Sequence, residues 1–159
     1  MDRNERTMRV VPGDVPGQFE MILATEGEAS DGHILNIEGG DIPQRMPLLD
    51  SHQSTLDATL GSVVSPRKDL NSTPRSIRAT GQIEMDGTGT LADERRDLDL
   101  KIRNGHIGAV SVRWDDVEST ARVDLPKGHP HRVGRNDDGP SRFGRYFDKW
   151  RALEGSVVV

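Results

Sequence analysis

Three residues that are far apart in the sequence could together make a hydrolytic site: His52, Ser111 and Glu154. A serine hydroxyl is a weak nucleophile at neutral pH unless a base removes its proton. Histidine is suited to that task because its unperturbed pKa lies close to neutrality. A carboxylate can in turn orient the imidazole and stabilise its protonated form. Only the folded chain can bring the three side chains together.

Each candidate also has an ordinary structural interpretation. Ser111 lies among small residues on a predicted strand, where most serines have no chemical role. His52 could cap a strand and bind a backbone carbonyl, and Glu154 could be an exposed residue at the start of a strand. Arg113 is predicted to share a strand face with Ser111. It could hold an oxyanion or an acidic substrate, or it could pair with Asp115.

The elements that must position these residues are predicted from apolar alternation. Gly105–Trp114 alternates as a strand that places Val110 and Val112 on one face and Ser111 on the other. The apolar positions of Arg45–Leu49 predict a strand that ends at Asp50, Ser51 and His52. Further strands are predicted at Gln18–Ala24, His33–Ile37, Thr59–Val64, Ser76–Met85 and Leu153–Val159.

The spacing predicts one helix, about Leu91 to Arg103. Thr90 is expected to cap its start, with Asp93 as its partner in a short capping box, and Asn104–Gly105 to end it. The predicted apolar stripe consists of Leu91, Leu98 and Ile102. The helix therefore ends just before the strand that carries Ser111.

Glycine, proline and polar runs predict the interruptions. Pro66 is expected to stop the fourth strand, and Gly81 to mark a β-bulge. Residues 1–17 are predicted to be a polar, extended lead-in, and residues 115–142 a long polar loop. The chain ends on an apolar run. We expect either a partner to cover this run as an edge strand or further residues to follow it.

The composition predicts one domain over residues 18–159 that is mainly β with some α. The chain has 159 residues, of which 33% are hydrophobic, with 17 glycines and 9 prolines. A net charge of −5 without a basic run argues against nucleic acid as a partner. Cysteine is absent, which excludes disulfides and thiolate chemistry. No apolar stretch approaches the roughly 20 residues of a membrane span, and the N-terminus is unlike a signal peptide. We therefore expect an intracellular protein without membrane contact.

Neither a metal nor an organic cofactor is predicted. His129 and His131 have no acidic or histidine partner at familiar ligand spacing, so we interpret them as solvated loop residues. A metal hydrolase that uses these two histidines remains a weaker alternative, which a chelator would test. Gly87–Gly89 is too short for a phosphate-binding loop.

Five segments in order resemble the prohead proteases of tailed phages, also called head maturation proteases. The segments are Phe19–Glu26, Met46–His52, Leu60–Val63, Asn104–Val112 and Trp150–Val158. The similarity covers about residues 18–114 and 145–159, and it rests on the order of the motifs rather than on any single one. By this resemblance the base is His52, the nucleophile Ser111 and the acidic member Glu154.

The resemblance implies a serine endopeptidase that acts in the host-cell cytoplasm, inside an assembling procapsid. Its substrates would be the scaffold, or the scaffolding segment of the major capsid protein, and the protease itself. The family is similar in fold to herpesvirus assemblins, which implies a mostly antiparallel β-barrel with few helices and a homo-oligomer. The chain departs from the family in its long loop 115–142 and in lacking the segment that commonly follows the last strand. The alternative is a catalytically inactive β-domain that associates with the capsid or scaffold during assembly.

Overall fold

The protein is mainly β: strands make up 45% of the residues that the structure describes, and these also contain one α-helix. A computed structural model describes residues 10–158, so the first nine residues of the predicted lead-in and Val159 lie outside the described part. The strands are β1 (Val10–Pro12), β2 (Gln18–Thr25), β3 (Ile34–Leu35), β4 (Gly40–Asp41), β5 (Arg45–Asp50), β6 (Thr59–Asp69), β7 (Ser76–Ile83), β8 (Ala109–Ala121) and β9 (Arg145–Val158), and the helix is α1 (Thr90–Arg103). The predicted α+β class is therefore confirmed at this level.

One sheet contains all nine strands and curls into a half-barrel. Strands β1, β2, β7, β6 and β5 follow one another as antiparallel neighbours, and β5 then pairs in parallel with β9. The short strands β3 and β4 also pair in parallel with β9, while β8 runs antiparallel along its whole length. The core lies on one face of this sheet, to which the strands contribute alternate apolar residues. Its members with at most 2% exposure include Phe19, Met21, Leu23, Leu48, Val63, Ile77, Ala79, Val110, Val112, Trp150 and Val157.

The last strand is longer than predicted and is not an edge strand. It begins at Arg145 and lies between β8 on one side and β5, β4 and β3 on the other. Its backbone is therefore paired on both sides within the chain, so the prediction that it is an edge strand is wrong. The apolar run predicted only Leu153–Val159; within it, Glu154–Val157 are buried on both faces of the sheet, whereas Leu153 is exposed.

Residues 115–121, predicted as part of a polar loop, form the second half of β8. They pair with β9 up to Ala121 opposite Arg145, and the true connection is the 122–144 segment with two short 3₁₀ turns. On the β8 side this half of the hairpin is exposed or half-buried, so that strand needs few apolar residues there. Hydrophobic periodicity therefore gave no signal for it.

Two predicted interruptions of strands are wrong. Strand β6 continues past Pro66 to Asp69, because the proline falls where the β6–β7 register shifts, between Val64 and Arg67. Gly81 is regularly paired in β7 and forms no bulge. It makes room for an aromatic ring, since an added Cβ would lie 2.3 Å from Cζ of Phe19.

The helix lies where predicted, but its cap and buried face differ. Gly89, at φ 99°, precedes the first turn, and no side chain caps the helix, so the proposed Thr90–Asp93 capping box is wrong. The buried helix residues are Ala92, Asp99 and Ile102, whereas Leu91 is 41% exposed. Asp99 is buried because its carboxylate accepts hydrogen bonds from the Gly17 amide and the Arg103 guanidinium. The helix is thus attached to the rest of the domain both by the hydrogen bond of Asp99 to Gly17 and by the burial of Ile102 in the core. No helix within residues 10–158 is long and apolar enough to cross a membrane.

Candidate active site

Strands β8 and β9 place two of the candidate residues on one face. Ser111 lies opposite Ser156 in the ladder, and Arg113 lies opposite Glu154. Directly paired residues project to the same side of an antiparallel sheet, with Cβ atoms about 5 Å apart. The intervening Gly155 faces the core, where an added Cβ would lie 2.8 Å from Val63. The candidates therefore lie on the face opposite the core.

A tight turn after β5 delivers His52 to this face. Strand β5 runs beside β9, with Leu49 opposite Ser156. The next two residues, Ser51 and His52, have φ values of 50° and 61°. The Gln53 amide closes the turn on the Asp50 carbonyl at 3.0 Å. Non-glycine residues rarely adopt this left-handed conformation, which occurs mainly where surrounding contacts enforce it.

The turn brings the His52 ring into contact with Glu154. Nδ1 of His52 is hydrogen-bonded to Oε1 of Glu154. The Glu154 side chain is 5% exposed and that of His52 17% exposed, so the pair is mostly shielded from water while the ring keeps an accessible edge. A carboxylate on Nδ1 selects the tautomer with its proton there. Nε2 is then free to act as a base.

Glu154 has a second neighbour and one unused oxygen. The Ser156 hydroxyl lies 3.4 Å from Oε1 of Glu154 and 3.0 Å from the backbone nitrogen of His52. Oε2 of Glu154 is buried and has no hydrogen-bond partner in the described part of the chain. The large majority of buried side-chain polar atoms in proteins have at least one hydrogen-bond partner. The carboxylate is thus committed to His52 and Ser156 through one oxygen.

Ser111 lies beside this pair without bonding to it. Its side chain is on the face of Glu154 and Ser156 and is 4% exposed. No hydrogen bond joins Ser111 to His52 anywhere in residues 10–158. Catalytic hydrogen bonds are often long or absent without substrate, so this geometry is compatible with a nucleophile that engages its base later. The structure joins His52 to Glu154 and places Ser111 opposite Ser156, which contacts both of them.

Arg113 is exposed on the same strand and opposite Glu154. Its guanidinium forms no ion pair or hydrogen bond with any residue in the described range. The alternative pairing with Asp115 is therefore not seen. Its role at an oxyanion stays a prediction.

His129 and His131 are half-buried and pack against Tyr146. The prediction that they are solvated loop residues is therefore wrong. The His131 ring stacks on that of Tyr146, with centroids 5.5 Å apart, and the His129 ring meets it edge-on at 4.9 Å. Burial, reinforced by the positive charge of Arg122 and Arg75, lowers the pKa of His131, and burial raises the pKa of Tyr146. Among residues 10–158, no group of three His, Asp or Glu side chains could hold a metal ion.

Two features of this region were not predicted. Ser156 contacts both His52 and Glu154. The sequence signal that could have revealed it is its position two residues after Glu154 on a strand, because residues i and i+2 of a strand lie on the same face. A cleft of about 260 Å³ also opens beside the His52 turn, between α1 and the ends of β5 and β9. Its apolar lining is Leu60, Leu91, Leu98, Ile107 and Val157, and its charged lining is Asp50, Asp57, Glu94, Asp97, Arg95 and Lys101.

The chain matches no family model, no curated protein and no solved structure in the comparisons made with it. Its class is therefore defined by fold and site: a mainly β, α+β protein with a histidine–carboxylate pair beside a buried serine.

Proposed function

We propose that the protein is a serine endopeptidase of the phage prohead, with His52 as base, Ser111 as nucleophile and Glu154 as the acidic member. The observation that carries the proposal is the His52–Glu154 hydrogen bond on the sheet face where Ser111 lies. The curled, largely antiparallel sheet with one helix is compatible with an assemblin-like barrel, which is the finer fold that we propose.

The reaction would proceed by acyl transfer. Nε2 of His52 takes the proton of the Ser111 hydroxyl as Oγ attacks the peptide carbonyl. The imidazolium then gives this proton to the departing amine, which leaves an acyl-enzyme on Ser111. Water, deprotonated by the same imidazole, releases the acid product. Glu154 lowers the energy of the imidazolium in both halves, because its carboxylate is held on Nδ1 in a mostly buried site.

Stabilisation of the oxyanion would come from groups near the Ser111 strand. Backbone amides that point toward the developing charge are the usual donors. Arg113 is a candidate for a further contribution, because its exposed guanidinium is not engaged by another described side chain. No metal or organic cofactor takes part in this scheme.

The biological setting follows from the resemblance. The substrates would be the scaffold, or the scaffolding segment of the major capsid protein, and the enzyme itself. Cleavage would occur inside the assembling procapsid in the host-cell cytoplasm. A homo-oligomer is the expected active form. The proposal includes neither nucleic acid nor membrane as a direct partner.

The second candidate is an inactive β-domain that associates with the capsid or scaffold during assembly. Two observations favour it: within residues 10–158 Ser111 has no hydrogen bond to His52, and its side chain is only 4% exposed. In this alternative the His52–Glu154 pair would serve to fix the turn after β5.

Co-expression with the major capsid protein and scaffold of the same phage distinguishes the two. We expect processed products with the unaltered chain, none with Ser111→Ala, and undiminished processing with the matched control Ser119→Ala. Ser119 lies on the same strand, where its hydroxyl donates to Asp116. Unchanged processing by Ser111→Ala would refute the nucleophile, and absence of processing by the folded, unaltered chain would favour the inactive domain.

A further inference from the structure

Ser156 is the least exposed polar residue of the site, at 0% exposure. The described partners of its hydroxyl are the two members of the histidine–carboxylate pair. The oxygen accepts the His52 backbone N–H at 3.0 Å, and the hydroxyl can donate to Oε1 of Glu154 at 3.4 Å. One hydroxyl thus makes both bonds in compatible directions, since it has one donor and free lone pairs.

The backbone that Ser156 binds is in an unfavourable conformation. Ser51 and His52 are both left-handed, at central positions where a turn of this kind prefers asparagine or glycine. Hydrogen bonds to the neighbouring strand β9 hold this turn in place. The Ser51 amide donates to the Val157 carbonyl at 3.0 Å, and the His52 amide donates to the Ser156 hydroxyl. Among residues 10–158, Ser156 therefore supplies the one side-chain oxygen that accepts a backbone amide of the turn.

The surrounding packing favours serine at this position. Gly155 packs closely against Val63 on the core side, where an added Cβ would lie 2.8 Å from that side chain. A larger residue at 156 would need space that a fully buried site does not offer. Alanine would fit, but it would leave the His52 amide without its acceptor. Both the size of the side chain at position 156 and its hydroxyl group are thus constrained.

We propose that Ser156 is a positioning residue, whose hydroxyl locks the His52 turn and aligns the Glu154 carboxylate so that the ring presents Nε2 to Ser111. The inference rests on the proposed function for its catalytic meaning. The geometric part can be tested without measuring any activity. We call it the lock: the hydroxyl of Ser156 holds the His52 turn and, through Glu154, the orientation of the His52 ring.

The decisive comparison is Ser156→Ala against Ser76→Ala, with histidine side chains labelled with ¹⁵N. Ser76 is a suitable control because it is buried to 3% exposure on β7, which does not pair with β9. In the unaltered chain and in Ser76→Ala we expect the neutral His52 ring to carry its proton on Nδ1. In Ser156→Ala we expect a mixture of tautomers. Retention of the single tautomer in Ser156→Ala, or its loss in both variants, would overturn the proposal.

Hydrogen exchange in the unaltered chain gives a test that does not depend on a variant's folding. The His52 amide should exchange at least about tenfold more slowly than that of Leu56, a 91% exposed residue in the same loop. Equal rates would refute the lock. If Ser156→Ala is poorly folded, the double variant Ser156→Ala/Ser51→Asn serves for the tautomer comparison, because asparagine tolerates the left-handed conformation.

Kinetics connect the lock to catalysis. Misplacing the ring should lower kcat of Ser156→Ala about 100-fold with KM nearly unchanged, while Ser76→Ala keeps both values. An unchanged kcat would refute the positioning role. If the unaltered chain cleaves nothing although its His52 tautomer and amide protection are as expected, the proposed protease fails while the lock stands.

Discussion

At the scale of single residues, the site depends on how Glu154 distributes its hydrogen bonds. One oxygen serves His52 and Ser156, and the other is buried without a partner among residues 10–158. Such an arrangement costs stability, because an unsatisfied buried acceptor is unfavourable by about 1–3 kcal/mol. The cost is understandable if the carboxylate must favour a positive charge on the adjacent imidazole.

Glu154→Gln should slow cleavage less than His52→Ala or Ser111→Ala. The amide can still contact the ring but no longer stabilises the imidazolium, whereas the other two changes remove the base or the nucleophile. In the proposed mechanism we expect the glutamine variant to retain about tenfold or more activity over either alanine variant. Initial cleavage rates of the three variants, measured at one pH, check this order. An equal or larger loss in Glu154→Gln would show that Glu154 has a different role.

At the scale of the elements, paired strands decide which residues share a face. The β8–β9 register puts Ser111 opposite Ser156 and Arg113 opposite Glu154, and the parallel pairing of β5 with β9 brings the His52 turn to the same place. Close contacts across strands tolerate little change in side-chain size. Gly81 of β7 illustrates this, because the ring of Phe19, its partner on the neighbouring strand β2, lies directly against it.

Gly81→Ala should destabilise the fold by about 1–3 kcal/mol through overpacking against Phe19. Gly108→Ala is the matched control, since nothing lies within 4 Å of a Cβ at that position. Urea denaturation followed by tryptophan fluorescence measures both. The loss should be partly recovered in the double variant Gly81→Ala/Phe19→Leu. A Gly81→Ala protein as stable as Gly108→Ala would contradict the proposed contact.

At the scale of the whole molecule, the 122–144 connection is attached to the 26–33 segment. The buried Arg122 donates hydrogen bonds to the carbonyls of Gly32 and His131, each at 2.9 Å, and forms an ion pair with Glu28. The His131 ring packs on Tyr146 at the base of the connection. This attachment includes His131, whose pKa is lowered by the partial burial of its ring.

Stability should fall as the pH drops below about 6.5, the usual pKa of histidine. Burial lowers the pKa of His131 in the folded protein, so in that range the unfolded chain binds a proton that the folded chain does not. By linkage, the contribution of His131 is complete above its unfolded pKa and declines toward its lower folded pKa. The loss of unfolding free energy between about pH 7.5 and 5.5 should be smaller in His131→Gln.

His106→Gln is the control for this prediction, because His106 is exposed. Urea midpoints at the two pH values, for both variants and the unaltered chain, provide the comparison. A pH-dependence in His131→Gln as large as that of the unaltered chain would show that His131 is not the titrating group.

Local patterns predicted much of the fold, and the failures have physical causes. Alternation located β2, β5 and the first half of β8, and helical spacing located α1, because burial on one face leaves a periodic signal. Pro66 and Gly81 misled because their local preferences were overridden by a register shift and by a neighbouring ring. The second half of β8 was missed because an exposed strand needs no apolar periodicity.

The sequence by itself determined the candidate residues His52, Ser111 and Glu154, and it placed each on its element, because residue type and periodicity are local properties. Only the tertiary structure decided that His52 reaches Glu154, that Ser111 lies beside them without a hydrogen bond to His52, and that Ser156 contacts both partners of the pair. These relations depend on strand register and on the left-handed turn at Ser51–His52. Both are set by contacts between segments far apart in the chain, which no local pattern encodes.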